Sequence, residues 1–269
     1  MITGSLLAIG GGGYFIYKAS KPPKRPLPAV YDDYFSHAEK MLKRGNRANN
    51  EILLTIDDGP HPESLKIILA TLKKYKVPAT FFVVGIRVKE HPDLVRQIMN
   101  DGHEVGNHTQ DHLRLDTLSE QAVRNQIDFC DQNIFKATGR HASFIRPPGF
   151  RTNAKVGDIL ESHGLTTIGW NVGAKDFIVF RNREATAEDR ARIGVEPDQI
   201  AERVLKQLKP GSIIVLHDIK VSALALPKII EGAQKKGFKF ITTAQMLARL
   251  PEPIMVKANP SAPLITASR

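Results

Sequence analysis

From Glu51 onward, short apolar runs rich in β-branched and aromatic residues alternate with longer stretches whose apolar positions recur every three to four residues. The strand-like runs are Ile52–Ile56, Thr80–Val84, Glu104–Gly106, Ser143–Arg146, Thr166–Asn171, Ser212–Leu216 and Lys239–Thr242. Between them the pattern predicts amphipathic helices over about 63–75, 91–100, 119–137, 153–163, 198–208, 223–236 and 243–250. Ser119 stands where the third of these needs an N-cap, and Gly139 where it needs a left-handed C-terminal residue. Seven strand–helix repeats in 200 residues predict a parallel α/β architecture.

Polar residues interrupt the pattern just past the strand ends: Asp57-Asp58, His108, Arg146, Asn171 and His217. In a (β/α) barrel these ends converge on one face, whereas an open doubly wound sheet would spread them apart. The expectation is therefore an irregular (β/α) barrel of about seven parallel strands. Residues 51–250 form its catalytic domain, 29–50 an N-terminal extension packing on the barrel, and 251–269 a tail.

Composition adds little to this and removes some alternatives. With 42% apolar and 25% charged residues, a sizeable core is within reach. The one cysteine, Cys130, rules out an internal disulfide and any cysteine-rich metal site, and its helical spacing with Val123, Ile127 and Ile134 places it in the core. The formal charge of +10 is concentrated near the start, where residues 1–50 hold eight Lys/Arg against three Asp/Glu. A basic leader suits an anionic envelope or lipid surface, and no nucleic-acid-binding signature accompanies it. Residues 2–17 carry no charge and precede a Pro/Lys linker that ends at Pro28. The run is short against the ~20 apolar residues that span a bilayer, so it is read as an export signal or thin membrane anchor. The charged segment 177–196 breaks the strand–helix rhythm and reads as a solvated loop or as a rim for an anionic polymer.

The chemistry lies in two clusters, Thr55-Ile56-Asp57-Asp58-Gly59-Pro60 and Asn107-His108-Thr109-Gln110-Asp111-His112. Two adjacent carboxylates repel unless something positive sits beside them. His108 and His112, four apart, would place both imidazoles on one side of a helical turn. Asp58, His108 and His112 then make three ligands for a divalent cation, the open arrangement of catalytic zinc. No Glu follows His108, so the zincin pattern is absent, and the base must come from elsewhere, a task Asp57 can fill. His61 and His103 read as structural.

Five segments in order, T-I-D-D-G-P at 55, H-T-Q-D-H at 108, R-P-P-G-F at 146, W-N-V-G-A-K-D-F at 170 and L-H-D at 216, make the chain resemble the polysaccharide deacetylases, the fourth family of carbohydrate esterases, which share the NodB-homology domain. The resemblance implies that Asp57 is the general base acting on the metal-bound water. It makes Asp58, His108 and His112 ligands of zinc or of Co2+, Ni2+ or Mn2+. Arg146 would pair with the base, Gly149 would offer an oxyanion-hole N–H, Asp176 would orient His217, and His217 would act as general acid. Pro148, Trp170, Val215 and Leu216 would contact substrate, the last three around the acetyl methyl unless they are core. Gly149-Phe150 reverses the family's usual aromatic–glycine order, Gly173 replaces an Asp, and Phe177 replaces a Trp. These departures touch the shape of the cleft and no catalytic group.

The implied activity is removal of N-acetyl groups from a polysaccharide outside the cytoplasm. Peptidoglycan N-acetylglucosamine is the leading substrate, with chitin-like oligomers and acetylated xylan behind it. The alternatives are a small amide or imide hydrolase on the same scaffold and a catalytically silent cell-wall-binding protein; the latter would need neither Asp57 nor His217.

Overall fold

The computed structural model describes residues 35–36, 41–178, 191 and 194–251. The apolar run 2–17 and its linker, most of the charged segment 177–196 and the tail past 251 lie outside the described residues. In chain order the elements are β1 (Phe35–Ser36), β2 (Met41–Leu42), β3 (Glu51–Gly59), α1 (Pro62–Tyr75), β4 (Thr80–Val83), α2 (Gly85–Glu90), α3 (Pro92–Asn100), β5 (Glu104–Asn107), α4 (Glu120–Thr138), β6 (Phe144–Ile145), α5 (Ala154–Ser162), β7 (Thr166–Ile168), β8 (Val172–Gly173), α6 (Pro197–Gln207), β9 (Ile213–His217), α7 (Lys220–Lys235), β10 (Lys239–Ile241) and α8 (Thr243–Ala248).

The strands form one sheet in the order β1-β2-β7-β6-β5-β4-β3-β9-β8, with β10 added on β3. Every pairing is parallel except β1 with β2. The run β3 to β7 is sequential, and β9 returns to the free side of β3, which is the order of a (β/α) barrel. Among the described residues the sheet does not close, its path ending at β1 on one side and β8 on the other, so the barrel is the irregular one that the repeats predict.

Side-chain alternation separates two cores. Ile52, Leu54 and Ile56 of β3 pack with Phe81, Val83, Ile214 and Leu216 in the layer between sheet and helices. Leu53, Phe82 and Ile213 lie in the barrel interior with Leu42, Ile168 and Met246. Thr55 and Asp57 continue the Leu53 face of β3, and Val215 and His217 continue the Ile213 face of β9. The interior rows therefore lead directly to the chemistry at the strand ends.

Several boundaries differ from the sequence pattern, each for a local reason. The run Thr166–Asn171 is not one strand. After Ile168 the Gly169 N–H goes to the Leu42 carbonyl (2.8 Å), and two residues later the Asn171 N–H goes to that of Ile213 (3.1 Å). The chain thus changes partners, which Gly169 permits because a Cβ there would lie 2.8 Å from Met41 Sδ. Asn171 is a stitch in this crossing, its Oδ1 accepting from the Ile213 N–H (2.8 Å), and has no place in the site. Helix α2 is too short for a periodic pattern to reveal. Part of the segment read as an extension is a strand, since Met41-Leu42 pairs with Thr167-Ile168. Ser119 and Gly139 terminate α4 as expected, Ser119 Oγ accepting from the Ala122 N–H (3.3 Å) and Gly139 adopting φ 74°.

Candidate active site

Asp57 and Asp58 are neighbours in β3, and neighbours in a regular strand point to opposite faces. The pairing with β4 shows how both reach the barrel mouth. Asp57 pairs with Phe82 and Gly59 with Val83, so Asp58 is an extra residue, bulged out at φ 69°. A bulge re-aims the side chain that it carries. Without it Asp58 would join Ile56 against the helices.

His108 and His112 come together by a route other than the one their spacing suggests. The segment after β5 is a loop and not a helical turn, with Thr109 at φ 68° and His112 at φ 58°. Side chains beneath it fix its path. Asn107 Oδ1 accepts the Thr109 N–H (2.8 Å) while its Nδ2 donates to the Ile127 carbonyl (2.9 Å). Gln126 Oε1 accepts the Asp111 N–H (2.9 Å), and Gln126 Nε2 donates to Asp111 Oδ2 (2.7 Å). The loop delivers His108 Nε2 to 3.2 Å and His112 Nε2 to 3.1 Å from Asp58 Oδ1.

These three groups suit a cation. Their ligand atoms lie within 4.8 Å of one another. His108 Nδ1 is 2.6 Å from the Arg146 carbonyl, which can only accept, so Nδ1 carries the hydrogen and Nε2 is left to bind. Asp58 Oδ1 is buried without a hydrogen-bond partner between two imidazole nitrogens, a position a cation would satisfy. Burial would raise the Asp58 carboxyl, but the His108 and His112 imidazoles outweigh it and hold the group well below the usual carboxylate range. His112 is 43% exposed, which leaves the site open to solvent on that side.

Beside this triad sits Asp57, nearly fully buried, its Oδ1 accepting from Arg146 Nη1 (2.7 Å). Arg146 is wholly enclosed. Its donors also reach Thr55 Oγ1 (2.5 Å) and the carbonyls of Ile168 (3.0 Å) and Gly169 (2.7 Å), and its guanidinium lies over the Phe82 ring. Burial pulls the guanidinium downward and Asp57 pulls it back up; an arginine stays charged in either case.

On the neighbouring strand His217 pairs in register with Asp57. Its Nδ1 is 2.8 Å from Asp176 Oδ1, so Nε2 faces outward. Asp176 is fully buried and also accepts from the His217 N–H (2.7 Å), the Phe177 N–H (3.0 Å) and Ser222 Oγ (2.5 Å). Burial disfavours a charged imidazole, but Asp176 and the two acids of β3 more than compensate and raise His217 to about 9.

A family model for polysaccharide deacetylases matches residues 44–168. Over 205 residues the chain is 34% identical to a peptidoglycan-N-acetylglucosamine deacetylase of Bacillus cereus, covering 74% of this chain and 90% of that protein. The chain belongs to the polysaccharide deacetylase family. The solved structure of a peptidoglycan N-acetylglucosamine deacetylase superposes with a TM-score of 0.70 at 30% identity, covering 82% of this chain and 96% of the other. A pseudoenzyme of carbohydrate esterase family 4 from Bacillus anthracis matches nearly as well, at TM-score 0.68 and 29% identity, covering 76% of this chain and 68% of the other. Membership in the polysaccharide deacetylases therefore leaves the activity to be argued from the residues themselves.

The remaining expected substrate contacts divide. Pro148 is buried in a short turn with Gly149, whose φ of 61° is a left-handed conformation that favours glycine. Trp170 is not core: it is 40% exposed, edge-on to Phe150 (5.3 Å between ring centres), and lies on Gly173, where a Cβ would be 2.8 Å from the indole. The Gly173 departure thus makes room for Trp170. Val215 is on the interior face with His217. Leu216 points the other way, into the layer under the helices, and does not line the cleft. Thr55 and Ser222 escaped the sequence reading. Thr55 was visible as the residue two before Asp57 on the same face; Ser222 had no signal beyond its nearness to His217.

Proposed function

We propose that this polysaccharide deacetylase is a metal-dependent hydrolase that removes N-acetyl groups from N-acetylglucosamine in peptidoglycan, releasing acetate. One observation carries the reading. An acid paired with a buried arginine, Asp57–Arg146, and an imidazole paired with a buried acid, His217–Asp176, both border the Asp58–His108–His112 cluster. A silent wall-binding protein would have no use for either pair.

The three clustered residues would hold the cation, with zinc the first choice for a His, His, Asp set. Its positive charge would lower the pKa of an attacking water and polarise the amide carbonyl. Arg146 aims Asp57, which takes a proton as the water oxygen bonds to the carbonyl carbon. The Gly149 N–H is the second donor proposed for the oxyanion that forms. His217, charged at neutral pH, donates from Nε2 to the sugar nitrogen as the C–N bond breaks, so acetate and a free amine leave. Trp170 with Phe150, and Phe177, 5.9 Å from the His217 ring, would offer aromatic faces suited to sugar rings.

Peptidoglycan as substrate implies action at the cell envelope and gives the leader 2–17 an export or anchoring role. Among the described residues no helix is long and apolar enough to cross a membrane. The catalytic domain is assigned to 51–250. Acetate release measured across peptidoglycan, chitooligosaccharides and acetylxylan tests the proposal, with Asp57→Asn as the control. We expect the highest kcat/KM on peptidoglycan and loss of turnover in the variant with bound metal retained. Absence of acetate from all three polymers would reject the activity, and a higher value on another polymer would reject the substrate.

A further inference from the structure

The bulge at Asp58 raises the question of what holds a left-handed non-glycine residue in place, since such a conformation is costly and persists only when its surroundings fix it. Three successive backbone carbonyls around it have partners. The Asp57 carbonyl accepts from the Asp218 N–H (2.8 Å), the Asp58 carbonyl from the Arg87 side chain, and the Gly59 carbonyl from the Val84 N–H (2.9 Å). Two residues beyond Gly59 the His61 N–H goes to Asp218 Oδ2 (2.8 Å). Asp218 Oδ1 accepts in turn from Ser64 Oγ (2.6 Å) in the first turn of α1. The approach is so close that a Cβ on Gly59 would sit 2.8 Å from Asp218 Oδ2.

Asp218 is fully buried, and the proposed chemistry gives it no task. Enclosing a carboxylate is expensive. Burial pushes its carboxyl up to about 6 against the pull of Ser64, the His61 amide and Arg87. A carboxylate buried at that cost calls for a specific account. The Asp218 N–H and carboxylate bind Asp57 and His61 on either side of the bulge and tie them to Ser64 of α1.

We propose that Asp218, with Ser64 and Arg87, is a positioning cluster that fixes the Asp58 bulge and so sets the affinity of the Asp58–His108–His112 site for a divalent cation. This rests on the metal-dependent reading above. Asp218 acts through Asp58 and touches neither substrate nor cation. The residues that orient a metal ligand change affinity by about 10- to 100-fold when removed. The clamp needs hydrogen-bonding shape more than charge. An asparagine at 218 can still accept from the His61 N–H and offer its amide hydrogens to Ser64 Oγ.

The test is zinc affinity of the full chain by chelator competition, with the visible spectrum of the Co2+ form reporting ligand geometry and the melting temperature of the metal-free protein reporting the fold. Asp218→Ala is expected to weaken zinc binding about 10- to 100-fold and alter the Co2+ spectrum. Asp218→Asn should bind zinc within about fivefold of the parent. Ser64→Ala, which removes one bond and keeps the carboxylate, should lose about two- to tenfold and serves if the alanine variant at 218 does not fold. Ser64→Ala and Asp218→Ala binding zinc like the parent, with only the melting temperature lowered, would make the cluster merely structural and overturn the inference. Equal loss in the asparagine and alanine variants would overturn it in favour of charge. Failure of the parent itself to bind zinc, or binding undiminished in His108→Ala, would instead strike at the metal site beneath it.

Discussion

Single residues in this protein work in pairs whose members are far apart in sequence, and the pairing sets their protonation. His217 is raised to about 9 because Asp176 and the acids of β3 outweigh burial. A general acid is useful only while protonated, so activity should persist through neutral pH and fall as pH rises through that value. Asp176→Asn removes the main raising influence and leaves burial to act, so the alkaline limb of kcat/KM should move to lower pH, accompanied by a drop in rate. A pH–rate profile measured on an N-acetylated oligosaccharide checks this, and an unmoved limb would take the acid role from His217. Residue type and order singled out His108, His112 and both acids of β3, which the structure brings together. It could not disclose Arg146 as a hub, because its links to Thr55, Ile168 and Gly169 depend on which strands become neighbours.

Among the elements, β3 and β9 show how an alternating pattern is informative up to the point where a face must be chosen. Both strands were legible as apolar runs, yet Val215 and Leu216 look equally fit to line a pocket. The pleat sends Val215 inward with His217 and Leu216 outward beneath the helices. Leu216→Ala should therefore cost about 2–5 kcal/mol of stability, as truncations of enclosed leucines do. Chemical denaturation measures the loss, while KM for the polymer stays unchanged; a raised KM with unchanged stability would return Leu216 to the cleft. The histidine loop gives the opposite lesson. Spacing of four suggested a helix, but the segment is a loop because Asn107 and Gln126 satisfy its backbone groups. Spacing alone cannot separate a helical turn from a loop supported by side chains.

At the scale of the whole molecule, the repeat of strand and helix was enough to predict the barrel and the convergence of distant residues at its mouth. The change of partners at Gly169–Asn171, which carries the chain from the β2 side of the sheet to β9, was not legible. The proposed cation sits where residues from β3 and the loop after β5 meet, and it is one local contribution to a chain with two extensive apolar layers. Chelation should abolish activity and lower the melting temperature while the far-ultraviolet circular dichroism stays native. Zinc restored at 100 times its Kd should return about 2.7 kcal/mol. Collapse of the secondary structure on chelation would mean that the cation is needed to fold the domain and is more than a cofactor added to it.

The extra residue in β3 also shows how small a change could cost such a fold its acid. Removing one amino acid at position 58 would let the strand run on as a flat ladder, with its upstream alignment to β9 intact and its apolar layers undisturbed. The mouth would then lose an acid with scarcely any change in the backbone trace. A chain of this outline could therefore lack the acid, and the number of residues between Thr55 and Pro60 would show it where the fold would not.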